Sequence, residues 1–185
     1  SLIFWTNFIQ CSNGDILVDG VSVKNRLNGW RKNIGYVPQA IFLTNDSVKA
    51  NVAFGLHDDE IDELRVLECL KQAQLDDFVE SLSSGIDTNV GDKGLKISGG
   101  QKQRIGIARA LYREATLIIF DEATSALDSA TETDVMSSID SLSNNLTLLM
   151  IAHRISTLKN CDFIVQLSEG RIEKIGKYDD FMWVF

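Results

Sequence analysis

The sequence predicts an α/β protein whose core is a mostly parallel sheet, with an α-helical segment inserted between the strands. Two stretches, residues 117–120 and 146–152, are almost entirely apolar, as expected of strands covered on both faces of a parallel sheet. From Thr116 onward, strand-like and helix-like patterns alternate. Before them, apolar residues recur at the spacing of helices. These patterns together favour a parallel core with a helical insertion.

The first part of the chain, up to about Gln39, predicts a helix, a short hairpin and a sheet strand. An apolar run at residues 2–9 indicates the helix. The strand at residues 16–18 turns through Asp19 and Gly20, a pair typical of hairpins. The predicted sheet strand lies within residues 34–39, where Gln39 taken alone would be a surface loop residue.

Residues 58–82 predict one or two amphipathic helices with an acidic outer face. The apolar positions at helical spacing are Ile61, Leu64, Leu67, Leu70, Ala73, Leu75, Phe78, Val79 and Leu82. This segment is the predicted insertion.

A turn formed by Ser98, Gly99 and Gly100 opens the next predicted helix. A helix start leaves backbone N–H groups without internal partners and carries partial positive charge, so it suits an anion. Ser98 can cap those donors, and the glycines let the backbone approach a phosphate closely because they lack Cβ atoms. The apolar side of the helix comprises Ile105, Ala108, Leu111 and Tyr112, and basic residues lying largely elsewhere are Lys102, Arg104, Arg109 and Arg113.

Two carboxylates, Asp121 and Glu122, follow the apolar strand at residues 117–120. Parallel sheets bind ligands at the C-terminal ends of their strands. Alone, a Ser-Gly-Gly turn is usually a helix cap, and an acidic strand end is often a solvated loop. Here the two are separated by one amphipathic helix and followed by Ser-Ala-Leu-Asp at residues 125–128. This order favours two phosphate-handling elements in tandem.

The last part of the chain predicts a strand at residues 146–152, followed by His153, and then a hairpin at residues 163–176. The hairpin is expected to turn at Glu169 and Gly170. By itself, a histidine at a strand end is most often a structural residue whose hydrogen bonds are satisfied.

The composition excludes several classes of partner. A net charge of -8 argues against nonspecific binding to nucleic acid or anionic lipid. The three cysteines, Cys11, Cys69 and Cys161, lie far apart without metal-ligand spacing, which suits a reducing compartment. The apolar opening is too short to span a bilayer and lacks the basic region of a signal peptide. We therefore expect any membrane association to depend on protein partners.

The segment ISGGQKQRIGIARALYREATLIIFDEATSALD, residues 97–128, resembles the nucleotide-binding domain of ATP-binding-cassette (ABC) transporters. Residues 97–101 are similar to the LSGGQ signature with Ile for Leu, residues 117–121 to Walker B, and residues 125–128 to the D-loop. IGYVPQ at residues 34–39 resembles the Q-loop region, and IAHRIST at residues 151–157 resembles the switch region. The motifs occur in the family's order and cover most of the chain. The resemblance implies a P-loop NTPase-like (ABC ATPase) fold.

The resemblance implies an ATPase that uses ATP and Mg²⁺. Glu122 would act as the general base, and His153 would orient the γ-phosphate and the attacking water. Asp121 would hold magnesium, and Gln39 would complete the magnesium shell and sense the membrane domain.

The resemblance also implies a head-to-tail dimer with a second nucleotide-binding domain. In such a dimer, each ATP lies between the P-loop of one domain and the signature of the other. The signature residues Ser98, Gly99, Gly100 and Gln101 would therefore contact ATP held by the partner. Asp128 would communicate across the dimer.

The phosphate-binding loop of the family, Walker A, has the form G-x-x-x-x-G-K-S/T, and no segment of the sequence matches it. The resemblance implies that the chain is truncated N-terminally and begins just after this loop. We expect residues 1–185 to be a partial nucleotide-binding domain that is inactive alone. Residues 1–45 and 115–185 would form its RecA-like α/β core, and residues 46–114 the helical subdomain with the signature.

Residues 88–94, TNVGDKG, resemble the TEVGERG X-loop of ABC exporters, with Asn89 in place of Glu. The resemblance therefore favours an exporter or flippase. Its transmembrane domain, fused N-terminally in the parent protein, would hold this otherwise soluble module at the cytoplasmic face of the inner or plasma membrane. No nucleic-acid partner is expected.

Two alternatives to an exporter stay open. One is a soluble ABC-type ATPase of DNA repair or chromosome maintenance, although such proteins insert long coiled coils and no heptad pattern is sustained here. The other is a regulatory cassette that binds nucleotide without hydrolysing it. For an exporter, lipid, oligosaccharide, peptide and drug cargoes are all compatible with the sequence.

Overall fold

The computed structural model describes residues 13–25, 27–90, 97–124, 127–142 and 146–182. Within these ranges the strands are β1 (Leu17–Val18), β2 (Val21–Ser22), β3 (Ile34–Val37), β4 (Leu117–Asp121), β5 (Thr147–Ile151), β6 (Ile164–Ser168) and β7 (Arg171–Gly176). The α-helices are α1 (Leu27–Lys32), α2 (Val48–Val52), α3 (Glu63–Gln72), α4 (Asp76–Glu80), α5 (Gly99–Tyr112) and α6 (Ser129–Asp140). Short 3-10 helices span Val23–Asn25, Asp58–Glu60, Gly85–Asp87, Ile155–Leu158 and Tyr178–Phe181.

The core of the molecule is a parallel sheet in the order β3-β4-β5, which confirms the predicted fold class. Side chains of the central strand β4 alternate between two apolar layers, because successive residues of a strand point to opposite faces. Ile118 and Phe120 join the main core beneath α5 and α6, whereas Leu117 and Ile119 pack with Ile34 on the other face. The strand is therefore covered on both faces, as its unbroken apolar sequence predicts.

Helix α5 packs closely on β3 because Gly35 has no side chain. A Cβ atom at Gly35 would lie 2.8 Å from the Cβ of Ala110 in α5 and 3.1 Å from the Cβ of Ala115. Both neighbours are short, rigid side chains that cannot rotate away. The glycine therefore sets the distance between this strand and the helix that begins with the Ser-Gly-Gly turn.

We expect Gly35→Ala to destabilise the chain by about 1–3 kcal/mol, because the added methyl overpacks the contact with Ala110. The matched control is Gly29→Ala in α1, where nothing lies within 4 Å of the added Cβ. Alanine is the better helix former, so this control should leave stability unchanged or raise it by up to about 1 kcal/mol. Urea unfolding of both variants measures the difference, and equal stability of the two would contradict the close packing.

The predicted helical segment at residues 58–82 forms one 3-10 turn and the two helices α3 and α4. Asp62 caps α3 by accepting the N–H of Arg65, and Val66, Cys69 and Leu70 form its buried stripe. The assignment of Leu64 and Leu67 to the apolar face is wrong, since these side chains are exposed. The buried residues Val66, Cys69, Leu70 and Ala73 have the i, i+3, i+4, i+7 spacing of one helix face, and Leu64 and Leu67 lie outside that face.

The two small hairpins follow the predicted turns. Strands β1 and β2 pair around Asp19 and Gly20, and β6 and β7 pair around Glu169 and Gly170. All four turn residues have positive φ, the conformation that two-residue hairpin turns of type I′ require. Among the described residues, no helix is long and apolar enough to cross a bilayer. The predicted opening helix at residues 2–9 lies outside the described residues.

Candidate active site

The three parallel strands deliver the candidate residues to one edge of the sheet. Gln39 follows β3, Asp121 ends β4 with Glu122 directly after it, and His153 follows β5. Because the strands are parallel and in register, their carboxyl ends meet at the same edge, which is where such sheets bind ligands. Residues far apart in the sequence are thereby placed in one region.

Glu122 and His153 contact each other directly. The Nε2 atom of His153 lies 2.7 Å from Oε1 of Glu122. Glu122 has a positive φ of 49°, and its N–H donates to the carbonyl of Ile151 at 2.9 Å, so the turn after β4 is tied to β5. The His153 side chain is 81% exposed and that of Glu122 27% exposed, and both line a small cavity beside β5. The pair can therefore hold a polar molecule that enters from solvent.

Asp121 accepts a hydrogen bond from a residue that the sequence did not single out. The hydroxyl of Tyr36 in β3 donates to Oδ2 of Asp121 at 2.9 Å. Burial of the phenol, and then its hydrogen bond to Asp121, raise the pKa of Tyr36 to about 12. The phenol therefore stays protonated and acts as a donor that orients this carboxylate. Tyr36 lies opposite Ile119, which is two residues before Asp121 on β4. The contact between Tyr36 and Asp121 can therefore be predicted only when β3 and β4 are known to be neighbours.

The acidic donor set at this edge fits a hard cation such as Mg²⁺. Asp121 supplies carboxylate oxygens, the ligand type that Mg²⁺ prefers. In the ranges that the structure describes, no three His, Cys, Asp or Glu side chains cluster as a complete metal cage. Mg²⁺ usually binds through one or two carboxylates and takes its other ligands from phosphates and water. The site therefore fits an ion that would arrive with a nucleotide.

Ser98 caps α5, as its position before the helix predicts. Its side chain accepts the N–H of Gln101 at 3.1 Å, and Oε1 of Gln101 accepts the N–H of Ser98 at 2.9 Å. This reciprocal capping box satisfies two donors of the helix start. Ser98 and Gln101 thus bond to each other, whereas Glu122 contacts His153.

Gly100, the second of the two signature-like glycines, also has a packing role that the sequence did not reveal. A Cβ at Gly100 would lie 2.4 Å from Cγ2 of Thr131 in α6, and a Cβ at Gly99 would lie 2.9 Å from Cδ2 of Leu127. The start of α5 therefore approaches α6 more closely than a side chain at Gly100 would permit. Gly99 is exposed and Gly100 is buried.

Asp128 caps α6 and lies beside the same contact. Its carboxylate accepts the hydroxyl of Thr131 at 2.7 Å and the N–H of Thr131 at 3.1 Å. The hydroxyl, and then the backbone N–H, hold the pKa of Asp128 below its usual range. Thr131 thus contacts both Gly100 and Asp128. Ser125 and Ala126, which complete the predicted D-loop, lie outside the described residues, as do residues 91–94 of the predicted X-loop.

Gln103 is a second functional candidate that the sequence did not reveal. This side chain of α5 is buried, and its Nε2 atom donates to the carbonyls of Gln39 at 2.9 Å and of Ala123. The loop after β3 and the turn after β4 are thereby joined to α5. A glutamine within an amphipathic helix carries no sequence signal for such a contact, because both acceptors come from distant loops.

Comparison with known proteins gives one family and two kinds of relative. The family model described as ABC transporter matches residues 3–125. The ATP-dependent lipid A-core flippase of Ralstonia nicotianae is 45% identical over 177 residues, which cover 95% of this chain and 30% of that protein. The flippase of the same description in Francisella tularensis is 44% identical over 178 residues, which cover 96% and 29%.

A solved structure agrees with these relatives. The structure of a bacterial Atm1-family ABC exporter with ATP bound matches with a TM-score of 0.82 and 38% sequence identity. The match covers 96% of this chain and 31% of that one. The chain thus spans about 30% of the length of the curated relatives that it matches.

Proposed function

The chain belongs to the ABC transporter family, and on that premise we propose that it is the ATP-hydrolysing module of an exporter or flippase. The observation that carries this proposal is the common edge of the parallel sheet. It brings Asp121, Glu122 and His153 together, with Glu122 and His153 at 2.7 Å from each other. A carboxylate and an imidazole in contact are suited to handling the proton of an attacking water.

In the proposed mechanism, Glu122 accepts the proton of the water that attacks the γ-phosphate of ATP, and the bond between the γ-phosphorus and the oxygen of ADP breaks so that ADP leaves. His153 donates from its ring to the phosphate and orients it against that water. Magnesium, when bound at Asp121 with Gln39 beside it, would neutralise charge on the phosphates. Tyr36 holds the Asp121 carboxylate in place through its hydroxyl. Positioning and charge stabilisation supply the rate, since phosphoryl transfer needs little covalent chemistry from a protein.

The signature residues would serve a different nucleotide. We propose that Ser98, Gly99, Gly100 and Gln101 contact ATP held by a second nucleotide-binding domain, and that Asp128 faces the same partner. The capping box supports this division, because it arranges Ser98 and Gln101 around the start of α5 separately from the Glu122–His153 pair. A helix start carries partial positive charge and so favours an anion.

The proposed partners follow from the relatives. The chain spans about 30% of their length, which supports a longer parent protein that also carries a transmembrane domain. We propose that this domain holds the module at the cytoplasmic face of a membrane. Within the module, residues 1–45 and 115–185 would be the core and residues 46–114 the helical subdomain. The flippase and exporter relatives do not favour the alternative of a DNA-repair ATPase.

The experiment that tests this function is ATP hydrolysis by the longer protein, purified in lipid, as a function of Mg²⁺ concentration. Asp121→Asn should raise the Mg²⁺ concentration needed for half-maximal turnover by about tenfold or more, since one charged ligand is lost. Asp134→Asn, an exposed change on α6, should leave the Mg²⁺ dependence unchanged. The 185-residue chain alone should not hydrolyse ATP, because its sequence contains no G-x-x-x-x-G-K-S/T loop. Wild-type protein without Mg²⁺-dependent turnover would refute the proposal.

A further inference from the structure

Glu132 of α6 joins three segments of the proposed catalytic edge. Its Oε1 atom accepts the hydroxyls of Thr124 and Thr157, each at 3.1 Å. Its Oε2 atom pairs with Nη1 of Arg154 at 3.0 Å. One carboxylate therefore receives three bonds, from residues 8, 22 and 25 positions away in the sequence.

The three partners of Glu132 lie next to the proposed catalytic residues. Thr124 is in the turn that begins with Glu122, and Arg154 directly follows His153. Thr157 lies in the 3-10 helix Ile155–Leu158, which continues the same segment. The cavity beside β5 is lined by Glu122 and His153 and also by Glu132 and its three partners. Glu132 thus connects the turn after Glu122 to the segment after His153.

The exposure of each side chain indicates which of these bonds contributes most to the geometry of the segment. The Arg154 side chain is 57% exposed, and an ion pair of that kind contributes little by itself. The Glu132 side chain is 16% exposed, Thr124 is 6% exposed and Thr157 is half-buried, so water is least available to the Thr124 hydroxyl as an alternative partner. Loss of a buried acceptor leaves its donors unsatisfied. The two hydroxyl bonds therefore fix the geometry, and Arg154 adds charge complementarity.

We propose that Glu132 is a positioning residue for ATP hydrolysis, which holds the segment after His153 and the turn after Glu122 so that both side chains address one γ-phosphate. The inference rests on the proposed function of the site. In the proposed mechanism Glu132 acts on the reacting atoms only through its bonds to Thr124, Arg154 and Thr157.

The kinetic test compares Glu132 variants of the longer protein in lipid. Glu132→Ala should lower kcat for ATP by about 10- to 100-fold, because small misplacements of reacting groups have effects of this size. The KM for ATP should change much less, since the proposed nucleotide contacts are intact. Glu132→Gln keeps an oxygen that accepts both threonine hydroxyls, and should retain most of the rate that Glu132→Ala loses. The matched control is Thr133→Val, the next residue on α6, whose hydroxyl donates to the carbonyl of Ser129 within its own helix.

A second measurement does not depend on activity. Hydrogen–deuterium exchange of the amides at residues 153–158 should be faster in Glu132→Ala than in wild type, and unchanged in Thr133→Val. Exchange of the β4 amides should be the same in wild type, Glu132→Ala and Thr133→Val. Unchanged kcat in Glu132→Ala, unchanged exchange at residues 153–158, or an equal loss in Thr133→Val would overturn the proposal. A rise in exchange that includes β4 would also overturn it, because it would mark a general structural role.

The two proposals can fail separately. If the wild-type longer protein does not hydrolyse ATP, the proposed function is wrong, whereas the exchange measurement still reports whether Glu132 holds the segment after His153. If the wild type hydrolyses ATP and Glu132→Ala matches it in rate, only the role of Glu132 is wrong.

Discussion

Glu122→Gln in the longer protein should lower kcat for ATP by about 10²- to 10⁴-fold, the usual contribution of a general base, while ATP binding is retained. Glutamine has the same shape as glutamate and can still contact His153, so the turn with its positive φ should fold unchanged. The amide cannot accept a proton, and the loss should therefore appear in kcat. Steady-state turnover and nucleotide binding, measured on the same preparation, separate the two effects.

The control for this prediction is Glu173→Gln on β7, an exposed change whose carboxylate bonds to Gln166 and lies in the hairpin. Its turnover should equal that of the wild type. If Glu122→Gln also hydrolyses ATP at the wild-type rate, Glu122 is not the general base. Loss of nucleotide binding together with turnover would indicate a structural effect and would contradict the assigned role.

Gly100→Ala should destabilise the start of α5 by about 1–3 kcal/mol and abolish most of the ATP turnover of the longer protein. The new Cβ would lie 2.4 Å from Cγ2 of Thr131, so either α5 and α6 move apart or the Thr131 side chain rotates and loses its hydroxyl bond to Asp128. This single change affects both the packing role that the structure shows and the proposed contact with phosphate. A second substitution is needed to separate them.

Thr131→Ser supplies that separation, because it removes Cγ2 and keeps the hydroxyl that bonds to Asp128. In the double variant Gly100→Ala/Thr131→Ser, the nearest remaining atoms to the added Cβ are Cβ of residue 131 and Cγ2 of Val135, both at 3.8 Å. Stability should therefore recover, as measured by thermal unfolding. If Gly100 also gives the backbone access to phosphate, kcat should stay at least about tenfold below that of Thr131→Ser alone. Recovery of both quantities would show that Gly100 has only the packing role.

Much of the fold follows from local sequence patterns. The unbroken apolar strand before Asp121 indicates a strand buried on both faces, and the Ser98 cap marks where α5 begins. Glu169 and Gly170 mark the turn of the last hairpin. Such features are local, because each depends on a few neighbouring residues and on the fixed spacing of strands, helices and turns.

The contacts that organise the site could not be predicted in the same way. Tyr36 reaches Asp121, Gln103 reaches the carbonyls of Gln39 and Ala123, and Glu132 reaches Thr157 only after the strands and helices have packed. Arg109 is a further example, because the helical pattern predicts that it lies outside the apolar side of α5. It donates instead to the carbonyls of Asn51 and Phe42, because helix α2 lies against it. Polar residues in helices carry no local sign of a partner that lies far along the chain.

We propose that residues 97–101 and the Asp121–Glu122 pair serve different nucleotides. Gly99→Asp is a suitable signature variant, because Gly99 is exposed and its Cβ would meet only the end of the Leu127 side chain. A negative charge at a helix start does not disturb the helix, but it would repel phosphate. The measurement is the ATPase rate of mixed dimers of the longer protein, isolated through two different tags.

We expect clear turnover when one copy carries Glu122→Gln and the other carries Gly99→Asp, because one of the two composite sites is then intact. Turnover should fall to background when one copy carries both changes and the other is wild type, since each site then contains one defect. The opposite pattern, with turnover only in the second dimer, would show that both motifs act on the same ATP and would refute their assignment to different nucleotides.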